Sequence, residues 1–158
     1  MTESRLNHLR ADGSAHMVDV SAKDVTVRSA TAAGRVLLSA AAVAALRGGT
    51  VPKGDALSVA RIAGIQAAKR TPDLIPLAHP IAVHAVEVDL DVVDDGVDLS
   101  ATVRTVGRTG VEMEALTAVA VGALALIDMV KAVDKHARVT DVRVTAKSGG
   151  RSGDWVEP

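Results

Sequence analysis

The sequence predicts an α+β fold in which helices cover one face of an antiparallel sheet. Apolar and polar residues alternate over 86–92 and again over 97–103, and Asp94-Asp95-Gly96 between them indicates the turn of a β-hairpin. An apolar stretch over about 110–133 indicates a long helix. Strand and helix patterns precede the hairpin, and a further strand pattern follows the long helix. This is the split βαβ order of a ferredoxin-like sandwich, with one additional helix early in the chain.

The remaining elements rest on shorter signals. A strand is expected over 25–39, around an Ala-Gly turn at Ala33-Gly34. Two helices are expected, over 40–47 and from 53 to about 70. Three prolines within 71–80 predict a stiff, non-helical loop. A last strand is expected over 139–145.

The chain is expected to form one domain over residues 16–154, between a flexible N-terminal arm at 1–15 and a C-terminal tail at 155–158. Residues 147–153 are rich in glycine and predict a flexible exit from the last strand. The chain has no Phe, no Tyr and one Trp, so its core must be built from Ala, Val, Leu and Ile. Such side chains bury little area each. We therefore expect an oligomer that shares apolar surface between subunits.

Composition excludes several classes of function. A formal net charge of −1 and 1% aromatic residues argue against nucleic-acid binding, which needs basic faces and stacking platforms. The absence of Cys excludes disulfides, thiolate metal sites and cysteine nucleophiles. The longest uncharged run, Ala115 to Ile127, is shorter than the roughly 20 residues that span a bilayer. A cytoplasmic protein with no membrane or nucleic-acid partner is expected.

Charged residues are confined to the two ends of the predicted long helix. Glu112 and Glu114 lie in its first turn, and Asp128 and Lys131 lie near its end. The glutamates could simply compensate the helix dipole. Asp128 stands where a negative charge is unfavourable, three residues before Lys131, so the two form either an ordinary ion pair or a tuned acid/base pair.

Helix length separates these two ends. Glu114 and Asp128 are 14 residues apart, which is about 21 Å along a straight helix. They cannot contact one small ligand from the same chain. If both serve one site, that site must lie between subunits.

Several lysines are candidates for anion binding. Lys53-Gly54-Asp55 before a helix could form a phosphate site, although on this short signal alone a plain helix cap is the favoured interpretation. Lys69 ends that helix, and Lys147 and Arg151 lie in the glycine-rich tail. No pair of histidines has metal-ligand spacing, so no metal is expected. Together with His79 in the proline loop, these residues suggest acid/base chemistry on a phosphorylated small molecule.

The chain resembles the cyclic pyranopterin monophosphate synthase family of molybdenum-cofactor biosynthesis, the protein C family. The resemblance extends from about His16 to Asp154. It is carried by residues 17–21 (MVDVS), 53–55 (KGD), 60–65 (ARIAGI), 68–71 (AKRT), 73–80 (DLIPLAHP), 109–118 (TGVEMEALTA), 128–133 (DMVKAV) and 146–150 (AKSGG).

The resemblance implies a lyase that rearranges a cyclo-dihydroguanosine triphosphate, closes a cyclic phosphate and releases pyrophosphate. It implies a single catalytic domain at 16–154, assembled as a homohexamer (a trimer of dimers) with sites between subunits. No redox cofactor is implied, because proton transfers dominate the reaction, and Mg²⁺ accompanying the triphosphate is left open.

Site residues are implied position by position. Asp128 corresponds to the catalytic acid/base, with Lys131 beside it. Substrate-binding segments correspond to Leu77, Ala78 and His79, and to Glu112, Met113 and Glu114. The cations that hold the triphosphate correspond to Lys53, Lys69 and Lys147. Of these, Lys53 is grouped with the catalytic residues.

One position departs from the family pattern. The family usually has Cys between the Leu and His of the substrate loop, where this chain has Ala78. Because the charged positions are kept, that Cys is interpreted as a space-filling contact that Ala can replace. The rival hypothesis is a non-catalytic, nucleotide-binding regulatory paralogue on the same fold.

Overall fold

The computed structural model describes residues 8–158 as five strands and four helices. In chain order these are β1 (Thr26–Leu37), α1 (Ala40–Gly48), α2 (Ala56–Lys69), α3 (Thr71–Leu74), β2 (Ala85–Val93), β3 (Gly96–Gly107), α4 (Glu112–Val130), β4 (Arg138–Ser148) and β5 (Trp155–Val156). The strands form one antiparallel sheet in the order β2-β3-β1-β4-β5. The predicted split βαβ order is confirmed. The predicted N-terminal arm lies partly outside the described residues.

Alternate residues of the central strands turn toward the helices. Ala30, Ala32 and Val36 of β1 are buried, as are Leu99 and Val103 of β3. α4 packs across β1, β3 and β4, and α2 packs beside it and over β2. The helices therefore cover one face of the sheet, and the core lies between the two layers.

The two long helices cross at glycines. A Cβ on Gly64 of α2 would lie 2.9 Å from the backbone oxygen of Ala118, and one on Gly122 of α4 would lie 3.3 Å from that of Ala60. Because the contact pairs run in opposite directions along the chain, α2 and α4 are antiparallel. Small residues thus let the two backbones approach closely in a core without aromatic side chains.

Replacing Gly64 with Val is expected to destabilise the fold by about 1–3 kcal/mol, since the added side chain must push α4 away. Chemical denaturation followed by circular dichroism measures the change. Gln66→Val, on the exposed side of the same helix, is the matched control for adding a β-branched residue. Equal stabilities of the two variants would contradict the close crossing.

Two local predictions are wrong. The expected turn at Ala33-Gly34 is absent, because β1 runs unbroken through it. Gly34 is needed for packing instead: a Cβ there would lie 2.8 Å from Cγ1 of Val119 in α4. The loop after α2 is not wholly irregular, because Thr71–Leu74 forms one helical turn with Pro72 in its first turn, where proline is tolerated.

The C-terminal segment is more ordered than predicted. After β4, residues 149–154 turn back, and β5 pairs Trp155 with Lys147 and Val156 with Ala146. A backbone bond from Glu157 N to the Thr145 oxygen, 2.7 Å long, extends this pairing. The predicted flexible exit is thus the turn of a short β-hairpin.

By length and composition alone, α4 is apolar enough to cross a membrane. It packs against the sheet on one side and against α2 on another, and ten of its residues are buried. Central helices of globular domains have the same composition. The apolar character of α4 is therefore explained by its position in the core.

Candidate functional site

Two lysine side chains and one aspartate side chain meet at the C-terminal end of α4. Asp128 accepts from Lys53 Nζ at 3.0 Å through one carboxylate oxygen and from Lys131 Nζ at 2.7 Å through the other. Lys53 reaches it from the turn before α2, which begins at this end because α2 and α4 are antiparallel. We call Lys53, Asp128 and Lys131 the carboxylate–lysine cluster.

This cluster is open to solvent and to other molecules. The side chain of Asp128 is 56% exposed, and those of the two lysines are 41% and 58% exposed. The hydrogen bonds from Lys131 and Lys53 hold the pKa of Asp128 below its ordinary value. The carboxylate is therefore ionised at neutral pH and accessible to a proton donor, while the flanking ammonium groups can bind an anion.

A small cavity of about 250 Å³ lies at the opposite end of α4. The segment after α3 supplies Leu77, Ala78 and His79, and the first turn of α4 supplies Glu112, Met113 and Glu114. His79 Nε2 donates to the backbone oxygen of Val18, so the N-terminal segment also forms part of the wall. Two sequence-predicted substrate-binding segments, distant along the chain, thus line one cavity. We call it the His79 cavity.

Glu114 is the buried acidic group of this cavity. It is 3% exposed, and burial together with the neighbouring Glu112 charge raises its pKa above the ordinary glutamate value. Burial this deep is not expected of a residue that serves only to compensate a helix dipole. Its carboxyl group can hold a proton at a higher pH than an exposed glutamate can.

Glu114→Gln is expected to raise the melting temperature by a few degrees at neutral pH. At pH below the ordinary glutamate pKa, the folded and unfolded chains are both protonated and the two proteins should be equally stable. As pH rises through that value, the unfolded chain ionises before Glu114 does, so the wild type alone loses stability.

Thermal unfolding from pH 4 to pH 8 measures this difference. Glu87→Gln, which neutralises an exposed glutamate of β2, is the matched control and should change the stability little at any pH. A Glu114→Gln effect that does not grow with pH would contradict the buried-carboxyl interpretation.

A larger cavity of about 530 Å³ adjoins the His79 cavity and shares Lys23, Thr109, Gly110 and Glu112 with it. Its basic side chains are Lys23, Arg28, Lys147 and Arg151. Lys147 Nζ donates to Glu112 Oε1 at 3.0 Å. With four cationic side chains against two acidic ones, Asp24 and Glu112, this basic cavity has a net positive charge that suits a polyanion such as a chain of phosphates.

Sequence reasoning missed Lys23 and Arg28. The signal for Arg28 was available: it occupies the same face of β1 as the buried Ala30 and Ala32, where a charged residue needs a reason. Arg28 Nε donates to the Gly107 oxygen at 3.0 Å, which fixes the guanidinium at the cavity. Lys23 lies two residues beyond the 17–21 motif.

The structure does not bring all predicted residues together. α4 is continuous from Glu112 to Val130, so the carboxylate–lysine cluster and the His79 cavity remain about 21 Å apart in one chain. Lys69 ends α2 at the His79-cavity end of the helix pair but lines neither cavity. Within residues 8–158, no group of three or more His, Asp or Glu side chains could hold a metal ion.

Comparison with known proteins identifies the family of this chain. Residues 17–150 match the model of the MoaC family. A cyclic pyranopterin monophosphate synthase from Streptomyces griseus is 67% identical over 98% of this chain and 87% of its own length. Proteins of the same name from Streptomyces coelicolor and a Nocardioides species are 65% and 64% identical, over 98% of this chain and 91% and 96% of their own lengths. The chain belongs to the MoaC family.

Proposed function

We propose that this chain is a cyclic pyranopterin monophosphate synthase, a lyase of molybdenum-cofactor biosynthesis. It converts (8S)-3′,8-cyclo-7,8-dihydroguanosine 5′-triphosphate to cyclic pyranopterin monophosphate and releases pyrophosphate. The observation that carries the proposal is a carboxylate held between two lysines, in a chain at least 55% identical to several proteins of that name. A regulatory, non-catalytic role is not favoured, because the chain keeps both Asp128 and Lys131, the two residues whose absence would favour it.

The proposed chemistry needs a proton acceptor and cations. When the cyclic phosphate closes, a substrate hydroxyl oxygen attacks the α-phosphorus, loses its proton, and pyrophosphate departs with its negative charge. Asp128, ionised at neutral pH, is suited to accept protons during the rearrangement, and Lys131 and Lys53 to return them or to stabilise developing charge.

The two cavities are suited to hold the rest of the substrate. The basic cavity offers Lys147, with Lys23, Arg28 and Arg151, to the triphosphate. The His79 cavity offers Glu114, a carboxyl group that keeps its proton more readily than usual, to the polar edge of the purine-derived ring. The proposal requires no redox cofactor, because proton transfers dominate the rearrangement and pyrophosphate leaves by displacement at phosphorus.

A complete site is proposed to combine two subunits. The carboxylate–lysine cluster of one chain would meet the two cavities of another, because one continuous helix keeps them apart within a chain. We propose a homohexamer, a trimer of dimers, acting in the cytoplasm.

The direct test is pyrophosphate release from enzymatically prepared cyclo-dihydroguanosine triphosphate. Stoichiometric release, with cyclic pyranopterin monophosphate identified by mass spectrometry, would support the synthase. A correctly assembled protein that binds the substrate but releases no pyrophosphate would be a nucleotide-binding paralogue. Ala78→Cys would then be the first substitution to test for restored activity.

A further inference from the structure

The turn between β4 and β5 is a closed loop against the basic cavity. Gly149 N donates to Asp154 Oδ1 at 3.1 Å, and Gly153 N donates to the Gly150 oxygen at 3.3 Å. These bonds tie the two ends of the loop together. The loop therefore has a defined shape although four of its six residues are glycine or serine.

Two glycines let this loop lie directly on β1. Gly149 and Gly150 have φ values of 85° and 80°, which favour glycine. A Cβ on Gly149 would overlap the Val27 oxygen, and one on Gly150 would overlap the Arg28 guanidinium. The loop is thus held in place at the cavity wall by shape as well as by hydrogen bonds.

The loop places the Ser152 hydroxyl on Lys147. Lys147 Nζ donates to Ser152 Oγ at 2.7 Å and to Glu112 Oε1 at 3.0 Å, and all three residues line the basic cavity. An ammonium group has only donors, so Ser152 Oγ must be the acceptor. The hydroxyl proton of Ser152 therefore points away from Lys147 and is free for another acceptor.

We propose that Ser152 is a binding and positioning residue of the phosphate site. It holds the Lys147 ammonium at the cavity and donates its own proton to a phosphate oxygen of the bound triphosphate. The inference rests on the proposed function for the identity of that anion. It adds to the site a residue that lies five positions beyond Lys147, in the loop expected to be a flexible exit.

Ser152→Ala is expected to weaken the binding of inorganic tripolyphosphate about tenfold, the usual effect of losing one hydrogen bond to a charged group. In turnover, KM should rise more than kcat falls. Ser152→Thr keeps the hydroxyl and should restore affinity, which a purely structural role of the loop would not predict. Ser14→Ala, which removes an exposed hydroxyl outside both cavities, is the control for losing a hydroxyl.

Isothermal titration with tripolyphosphate measures affinity, and pyrophosphate release measures turnover. Equal affinities of wild type and Ser152→Ala, or no tripolyphosphate binding by the wild type, would overturn the proposal. If tripolyphosphate binds and Ser152→Ala weakens it, but wild type releases no pyrophosphate from the cyclo-dihydroguanosine triphosphate, the proposed function fails and the role of Ser152 stands.

Discussion

Replacing Asp128 with Asn is expected to lower kcat for pyrophosphate release by about 10²–10⁴-fold, the usual contribution of a general acid–base group. The amide is nearly the same size but cannot accept a proton, and it leaves Lys53 and Lys131 without their shared partner. Stability should change little, because Asp128 is more than half exposed. Steady-state kinetics and thermal unfolding measure the two quantities.

Asp73→Asn is the matched control. Asp73 is 67% exposed and pairs with Arg70 at 3.4 Å, so the substitution also breaks an exposed ion pair, at a place outside both cavities and the cluster. It should leave turnover within about twofold, as an exposed ion pair contributes little. If Asp128→Asn and Asp73→Asn had similar rates, Asp128 would be an ordinary surface ion pair.

Mixing two inactive variants is expected to restore activity. Asp128→Asn disables the carboxylate–lysine cluster, and Lys147→Ala disables the basic cavity. If each site takes the cluster from one chain and the basic cavity from another, random assembly of equal amounts of the two variants leaves both parts intact at about a quarter of the sites. Co-refolding the two chains and assaying pyrophosphate release measures the restored fraction.

The control mixture pairs Asp128→Asn with Lys131→Ala. Both substitutions lie in one cluster, so no combination of these chains produces an intact site and no activity should return. Native mass spectrometry shows whether subunits have mixed. Mixed oligomers of Asp128→Asn and Lys147→Ala that stay inactive would mean that each site is contained in a single chain.

Sequence patterns predicted elements whose signals are local. The β2–β3 hairpin follows from alternation around Asp94-Asp95-Gly96, and α4 from its apolar length; both are confirmed. Gly34 misled the prediction because a glycine that signals a turn and one that makes room for Val119 look the same in sequence. The pairing of β5 depends on backbone bonds over a two-residue strand, which has too few residues for a periodic signal.

The candidate site was predictable to the extent that it follows the family motifs. Two segments that the resemblance marks as substrate-binding, residues 77–79 and the start of α4, line one cavity. That Lys53 would reach Asp128 required knowing that α2 and α4 are antiparallel. Ser152 lines the basic cavity because the closed loop lies on β1, which no sequence pattern indicates, whereas Arg28 could have been found as a charged residue on the buried face of β1. The catalytic and binding roles of all these residues stay predictions.

The single Trp of this chain lies beside the basic cavity. Trp155 follows Asp154, whose carboxylate closes the loop, and pairs across the hairpin with Lys147. Because there is no Tyr and no other Trp, all of the near-ultraviolet fluorescence comes from this one indole, which is 44% exposed. The chain thus carries an intrinsic optical reporter next to the proposed phosphate site. Binding of a ligand there is expected to change the emission of the unlabelled protein, at a position where no other emitter obscures the signal.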